Sequence, residues 1–316
     1  MKRYAVLFVT VISSVVVMAQ FDPQVGQYMY IKTAYNPAAA GEDDLMKVSA
    51  LFRAQFAGIK NAPMSTFFTL QSPFVIGKTK HGAGVRFMDD RYGLFSNQTF
   101  HVQYAYRQHL GKGHLSVGVD LGFVSVGFKG DSVNLSQLKG SLYHQADDQL
   151  IPSGSQTGMA FDMGLGVYYS APKWYAGISY THLTQPKVEW SETSDVRLRG
   201  TLFAVGGYNW KLRNKYFVLK PSLLMMTDFV AWDVNVSLMC EYKEKYRWGL
   251  NYRVAAGVGV YLGADIISGL VLGYHCELPT NKLMLESFGS HEVYLAYGFD
   301  ILKPKRTNRY KSVRYL

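Results

Sequence analysis

Thr99-Phe100-His101-Val102-Gln103-Tyr104-Ala105-Tyr106-Arg107 is followed, after the break Gly111-Lys112-Gly113, by Leu115-Ser116-Val117-Gly118-Val119-Asp120-Leu121-Gly122-Phe123. In the first half, residues 100, 102, 104 and 106 are large and apolar or aromatic, with smaller or polar residues between. In the second, Leu115, Val117, Val119, Leu121 and Phe123 share one face and Ser116, Gly118, Asp120 and Gly122 the other. A period of two means strand, because successive side chains point to opposite faces of a sheet. Two strands joined by a short glycine-containing turn form an antiparallel hairpin. A soluble sandwich has the same alternation. Here, however, the pattern recurs nearly to the end of the chain, at lengths suited to crossing a bilayer.

The strands are expected to begin near Met46, with further segments at 64–75, 81–91, 97–110, 113–127, 157–170, 172–183, 197–210, 215–228, 231–243, 246–254, 256–265, 269–278 and 290–301. That is about fourteen, and bacterial barrels use an even number. The long breaks at 128–156, 184–196 and 279–289 are odd-numbered connections; the short ones at 111–112, 171, 211–214 and 244–245 are even-numbered. Long external loops and short periplasmic turns produce this split. Tyr104, Tyr106, Tyr168, Tyr169, Trp174, Tyr175, Tyr208, Trp210, Tyr242 and Tyr246 flank the short turns. Amphipathic rings gather where hydrocarbon meets headgroups. The expected fold is all-β: a transmembrane antiparallel β-barrel in the outer membrane.

Residues 1–19 read as a signal peptide: basic Lys2 and Arg3, an apolar run from Ala5 to Val17, then small residues ending at Ala19. Without Lys2 and Arg3 the 33 basic residues become 31 against 23 acidic ones, a net charge of +8. Export argues against nucleic acid as the partner of that charge. Residues 20–45 are not strand-like and are expected to form a periplasmic segment, either an arm or a plug in the lumen. The barrel spans 46–301, and 302–316 form a basic periplasmic tail, so both termini are expected in the periplasm. In that tail Pro304 ends the alternation, and Lys303, Lys305, Arg306, Arg309, Lys311 and Arg314 are read as contacting an acidic partner, with a frayed, solvated end as the alternative. Cys240 and Cys276, the two cysteines, fall within expected strands and read as half-buried free thiols.

The faces opposite the apolar ones carry Arg53, Gln55, His101, Arg107, Asp120, Asp162, Asp233, Asn235, Glu241, Arg247, Asn251 and Arg253, with many glycines between. Either these charges pair among themselves and fill the barrel, or they line a ligand path or a plug socket. Catalysis, cofactors and metals have little support. Ser290-His291-Glu292 has the residue types of a triad, but neighbours on a strand point to opposite faces and cannot meet. No Gly-x-Ser-x-Gly elbow occurs, and the eight histidines show no close-set metal spacing.

Several stretches resemble the PorP/SprF family of type IX secretion system outer-membrane proteins. They are Tyr35-Asn36-Pro37-Ala38 with Gly41; Arg53-Ala54-Gln55-Phe56-Ala57-Gly58, then Pro63; Trp248-Gly249-Leu250-Asn251-Tyr252-Arg253; and Gly289-Ser290-His291-Glu292-Val293. Phe56 stands where the family usually has Trp. The resemblance implies a non-enzymatic component of the machinery that moves folded cargo across the outer membrane of Bacteroidetes and attaches it to the surface. It also implies periplasmic lipoprotein and peptidoglycan-binding subunits as partners. Asn36, Pro37, Gly41, Arg53, Gln55, Gly58, Pro63, Arg253, Gly289, Ser290, His291 and Glu292 are its signature positions. A diffusion channel or transporter for hydrophobic small molecules is the rival function for a barrel of this size.

Overall fold

The computed structural model describes residues 22–43, 45–130, 154–190 and 195–299. The expected signal peptide, most of the 128–156 loop and the basic tail lie outside the described residues. Fourteen antiparallel strands form one closed barrel. They are β1 Met46–Ala54, β2 Met64–Ile76, β3 Thr79–Tyr92, β4 Phe95–Leu110, β5 Gly113–Lys129, β6 Ser155–Ser170 and β7 Trp174–Thr181. β8 Thr201–Tyr208, β9 Phe217–Thr227, β10 Trp232–Tyr242, β11 Tyr246–Arg253, β12 Gly257–Ile267, β13 Leu270–Pro279 and β14 Ser290–Phe299 complete it. The seam is the β1–β14 ladder, running from Met46 opposite Phe299 to Ala54 opposite His291. Closure leaves no open strand edge around the wall.

The alternation resolves as the sequence implied. Phe100, Val102, Leu121, Phe123, Val236, Leu238 and Leu262 face outward and are exposed, whereas His101, Gln103, Asp120, Asn235 and Ser237 face the lumen and are buried. Outward Tyr104, Tyr106, Trp174, Tyr208, Trp210 and Tyr246 lie at the short-turn end. Tyr168 and Tyr175 do not belong to that girdle. Their register turns them inward, where Tyr168 is buried and their rings stack at 5.9 Å. The strand expected at 197–210 is also shorter, because Asp195–Arg197 pairs with Lys187–Glu189 in a separate small hairpin. Val188 of that hairpin packs with Val124, Val126 and Leu198, and Trp190 Nε1 donates to the Val126 carbonyl at 2.8 Å. Both cysteines are free, on the non-adjacent strands β10 and β13.

Of the two forms expected for 20–45, an arm or a plug, the described part 22–43 takes the second, inside the barrel. Its three short 3₁₀ turns, Tyr28–Tyr30, Lys32–Ala34 and Pro37–Ala39, carry little propensity of their own, so contact with the wall holds them. Tyr28, Ile31 and Tyr35 pack with Leu51, Phe67, Met88, Phe203, Leu224, Met226 and Tyr294 of the wall. The core of the molecule therefore lies in the lumen. Asp22 meets Thr181 and His182 at the long-connection end, and Gly41 meets Arg107 near the short-turn end. The described chain thus begins at the opposite end of the barrel from the one where it enters β1.

Candidate functional site

The groups singled out along the inward faces converge on the plug. Glu292 of β14 and Glu277 of β13 lie beside Arg53 of β1 and Arg253 of β11, all four buried. Arg53 pairs with Glu292 and, at 3.2 Å, with Glu277; Arg253 pairs with Glu277 and donates to Gln24 Oε1 of the plug at 2.6 Å. The Glu292 carboxylate also accepts the Gly26 and Gln27 backbone N–H groups at 2.7 and 3.0 Å. His275 Nδ1 approaches it at 3.5 Å. Burying ions is costly unless each is paired and hydrogen-bonded. Here the plug backbone supplies donors that the wall alone lacks. This clasp is therefore complete only when the plug is seated.

A second cluster fixes the beginning of the plug. His182, just beyond β7, presents Nδ1 to Asp162 at 2.6 Å and Nε2 to Asp22 at 3.2 Å. Burial opposes charge on this ring, but the Asp22 and Asp162 carboxylates outweigh it and raise the His182 pKa to about 10. Burial likewise opposes charge on Asp22, yet His182 holds its pKa below the usual carboxylate value. On the other side of Asp162, His101 Nε2 lies 3.1 Å away, and Arg86 reaches His101 Nδ1 at 3.1 Å and the Ala34 carbonyl at 2.5 Å.

Lower down, Asn36 caps the third plug turn by accepting the Ala38 N–H at 2.9 Å. Its amide nitrogen donates to the wall carbonyls of Val167 and Ile178 at 3.1 and 3.3 Å. The wall is glycine here for lack of room: a Cβ on Gly118 would stand 2.3 Å from Ala38 N, and one on Gly166 2.1 Å from Asn36 Oδ1. Near the short-turn end, Arg107 donates to the carbonyls of Gly41 and Glu42, and Lys32 pairs with Glu42 at 2.9 Å while lying 4.1 Å from the Tyr175 ring centroid. Below this point a cavity of about 370 Å³ opens, lined in part by Tyr30, Lys47, Lys220, Glu241 and Arg247.

The signature positions fall into three places. Arg53, Arg253 and Glu292 form the clasp, and Asn36, Pro37 and Gly41 belong to the plug. Gln55, Gly58, Pro63, Gly289 and Ser290 join two connections over the seam: Gln55 N–H donates to the Pro63 carbonyl at 2.9 Å, Phe56 N–H to Ser290 Oγ at 3.2 Å, and Ala57 N–H to the Gly289 carbonyl at 2.7 Å. Gly58 and Gly289 have φ of +96° and +86°, which favours glycine. His291 stands apart on the outer face, 2.7 Å from Tyr274 Oη. Sequence reasoning missed the apolar part of the socket. Its signal was an apolar residue breaking the polar face, as Leu51 does beside Phe52. Among the described residues no group of three or more His, Cys, Asp or Glu is arranged to hold a metal.

A closed fourteen-stranded barrel with an outward apolar face and a lumen filled by its own N-terminal segment is a plugged β-barrel of the outer membrane. The profile described as "Type IX secretion system membrane protein PorP/SprF" matches residues 17–297. The chain belongs to the PorP/SprF family. No curated protein matches it. Among solved structures it is similar to a TodX deltaS2S3 mutant monoaromatic hydrocarbon channel, with 10% identity, TM-score 0.46, and 84% of this chain and 93% of that one covered. It is similar also to the CymD monoaromatic hydrocarbon channel, with 13% identity, TM-score 0.43 and coverages of 89% and 93%. The Pseudomonas putida toluene transporter TodX gives 11% identity, TM-score 0.45 and coverages of 88% and 95%.

Proposed function

We propose that the chain is a non-enzymatic outer-membrane subunit of the type IX secretion system. In this reading it supports export of cargo proteins and their surface attachment by holding periplasmic lipoprotein and peptidoglycan-binding subunits at the membrane. The short-turn end faces the periplasm and the long connections face outside, as the loop lengths favour. The basic tail, with Lys303, Lys305, Arg306, Arg309, Lys311 and Arg314, then extends toward those partners. The observation that carries the proposal is the plug in a chain of this family. A lumen packed with Tyr28, Ile31 and Tyr35 and clasped through Glu292 suits a scaffold better than a diffusion channel or a transporter for hydrophobic small molecules.

The test is extraction from native membranes in mild detergent, followed by identification of copurifying proteins, with conductance measured on the purified barrel in planar bilayers. Periplasmic subunits should copurify and the barrel should be electrically silent. A steady conductance with no copurifying partner would overturn the proposal in favour of the channel.

A further inference from the structure

At the short-turn end, the sheet between β8 and β9 continues past the barrel wall. Trp210 pairs with Leu219 and Lys211 with Val218, while Asn209 N–H donates to the Lys173 carbonyl at 2.6 Å. Beyond that bond this two-residue extension pairs, among the described residues, only with β9. Leu212 N–H donates to the Phe217 carbonyl. By the antiparallel alternation, the N–H and C=O of Lys211 therefore point to the open edge.

Register gives the extension two different faces. Trp210, 58% exposed, continues the lipid-facing row, whereas Lys211 and Val218 continue the lumen-facing row and look toward the barrel mouth. Around this extension lies a groove of about 700 Å³, with Leu212, Tyr216 and Val218 as apolar lining and Lys211, Arg213, Lys215 and Lys243 as cations. Among the described residues Glu244 is the single acid that lines it. Among the described residues none of the four cations has a carboxylate partner. The neighbouring cavity differs: there Lys32 pairs with Glu42, Lys47 with Asp43, and Lys220 and Arg247 with Glu241.

The second wall of the groove is held at a conformational cost. Lys243 and Glu244, in the tight turn between β10 and β11, have φ of +53° and +58°, a turn that Asn and Gly fit with less strain. Lys243 N–H donates to the Tyr216 carbonyl at 2.8 Å, and its ammonium lies 5.3 and 5.2 Å from the Tyr216 and Tyr242 ring centroids. The turn thus places a cation at the rim.

We infer that this groove binds an extended acidic segment of a periplasmic partner protein. The inference deepens the proposed function and rests on its periplasmic placement of the short-turn end. Carboxylates of the segment meet Lys211, Arg213, Lys215 and Lys243, an apolar residue rests on Val218, and its backbone adds to the edge at Lys211. Anionic lipid is the other anion within reach. Lys211 and Val218 look toward the mouth, however, while the lipid side of the same hairpin presents Trp210.

The test uses the full mature chain in nanodiscs and a fluorescent eight-residue peptide of alternating Asp and Val, with its Asn counterpart as control. In fluorescence anisotropy, the combined variant Lys211→Gln, Arg213→Gln, Lys215→Gln and Lys243→Gln should weaken binding of the Asp peptide by at least about tenfold. Glu244→Gln should tighten it, and 0.5 M salt should abolish most of it, a concentration at which exposed pairs are screened over a few Å. Both variants change only groups at the tip of the barrel, and retained heat-modifiability verifies that it folds. Equal affinity of wild type and the combined variant, or of the Asp and Asn peptides, would overturn the inference. Phosphatidylglycerol retained by the wild type and lost from the variant in native mass spectrometry, with peptide binding unchanged, would assign the groove to lipid and overturn it too. Peptide binding intact without copurifying partners would instead count against the proposed function.

Discussion

Replacing Glu292 by Gln keeps the shape of the clasp and removes its charge. The carboxylate receives Arg53 and two plug N–H groups, all in a buried setting. The Arg53 pair lies within the wall and weakens whether or not the plug is seated. What the seated state alone loses is the charge on the acceptor of the Gly26 and Gln27 N–H groups, and hydrogen bonds to charged groups contribute about 1.5–3 kcal/mol. At about 1.4 kcal/mol per decade, the equilibrium for local release of the plug should shift roughly 10- to 100-fold. Hydrogen exchange read by mass spectrometry on peptides covering 22–30 measures this shift directly. The control is His291→Gln, one residue away but on the outer face against Tyr274, which should leave exchange of the plug unchanged. If Glu292→Gln leaves it unchanged as well, or if both variants raise it equally, the clasp does not hold the plug.

Three further outcomes are expected. Val236→Arg, on the lipid face, should cost about 2–4 kcal/mol of barrel stability in urea-induced unfolding in lipid vesicles, while Ser237→Arg should instead push on Tyr28 and raise plug exchange, since Ser237 is buried under the plug. Gly118→Leu should unseat the third plug turn, because even a Cβ there meets Ala38 at 2.3 Å, and limited proteolysis should then cut within 36–43. The His182 contact should be pH-dependent: its pKa in the folded protein, about 10, exceeds the ordinary value of about 6.5, so its stabilisation is complete below about pH 6.5 and lost as pH rises through 10. Intrinsic-rate-corrected exchange of residues 22–27 should therefore rise between pH 7 and 10, and His182→Gln should remove that dependence.

The barrel was legible because its determinant is local. Period-two alternation fixes which face of β4 or β10 meets lipid, and Phe100 and Val236 lie where the pattern puts them. The plug was less legible because its turns carry no period; only Asn36-Pro37 marks a local structure. What the plug touches depends on pairs such as Gly26 with Glu292, separated by 266 residues, and no local pattern encodes them. The girdle was partly misread for a related reason. Tyr168 and Tyr169 are neighbours in sequence, but only one of them faces out.

The strand that closes the barrel also carries the clasp: Arg53 and Glu292 are direct partners across the β1–β14 seam, and Glu292 holds Gly26 and Gln27. This sets an order of assembly. A ring closed first would leave its own leading segment outside, to be threaded end-on past Tyr168, Tyr175 and the Arg107 side chain. A wall that folds around a segment already laid along β4, β5 and β6 avoids the threading. The last strand then locks the seam and the plug in one step. Loss of Glu292 should therefore appear during biogenesis as slow closure, before any effect on the finished protein.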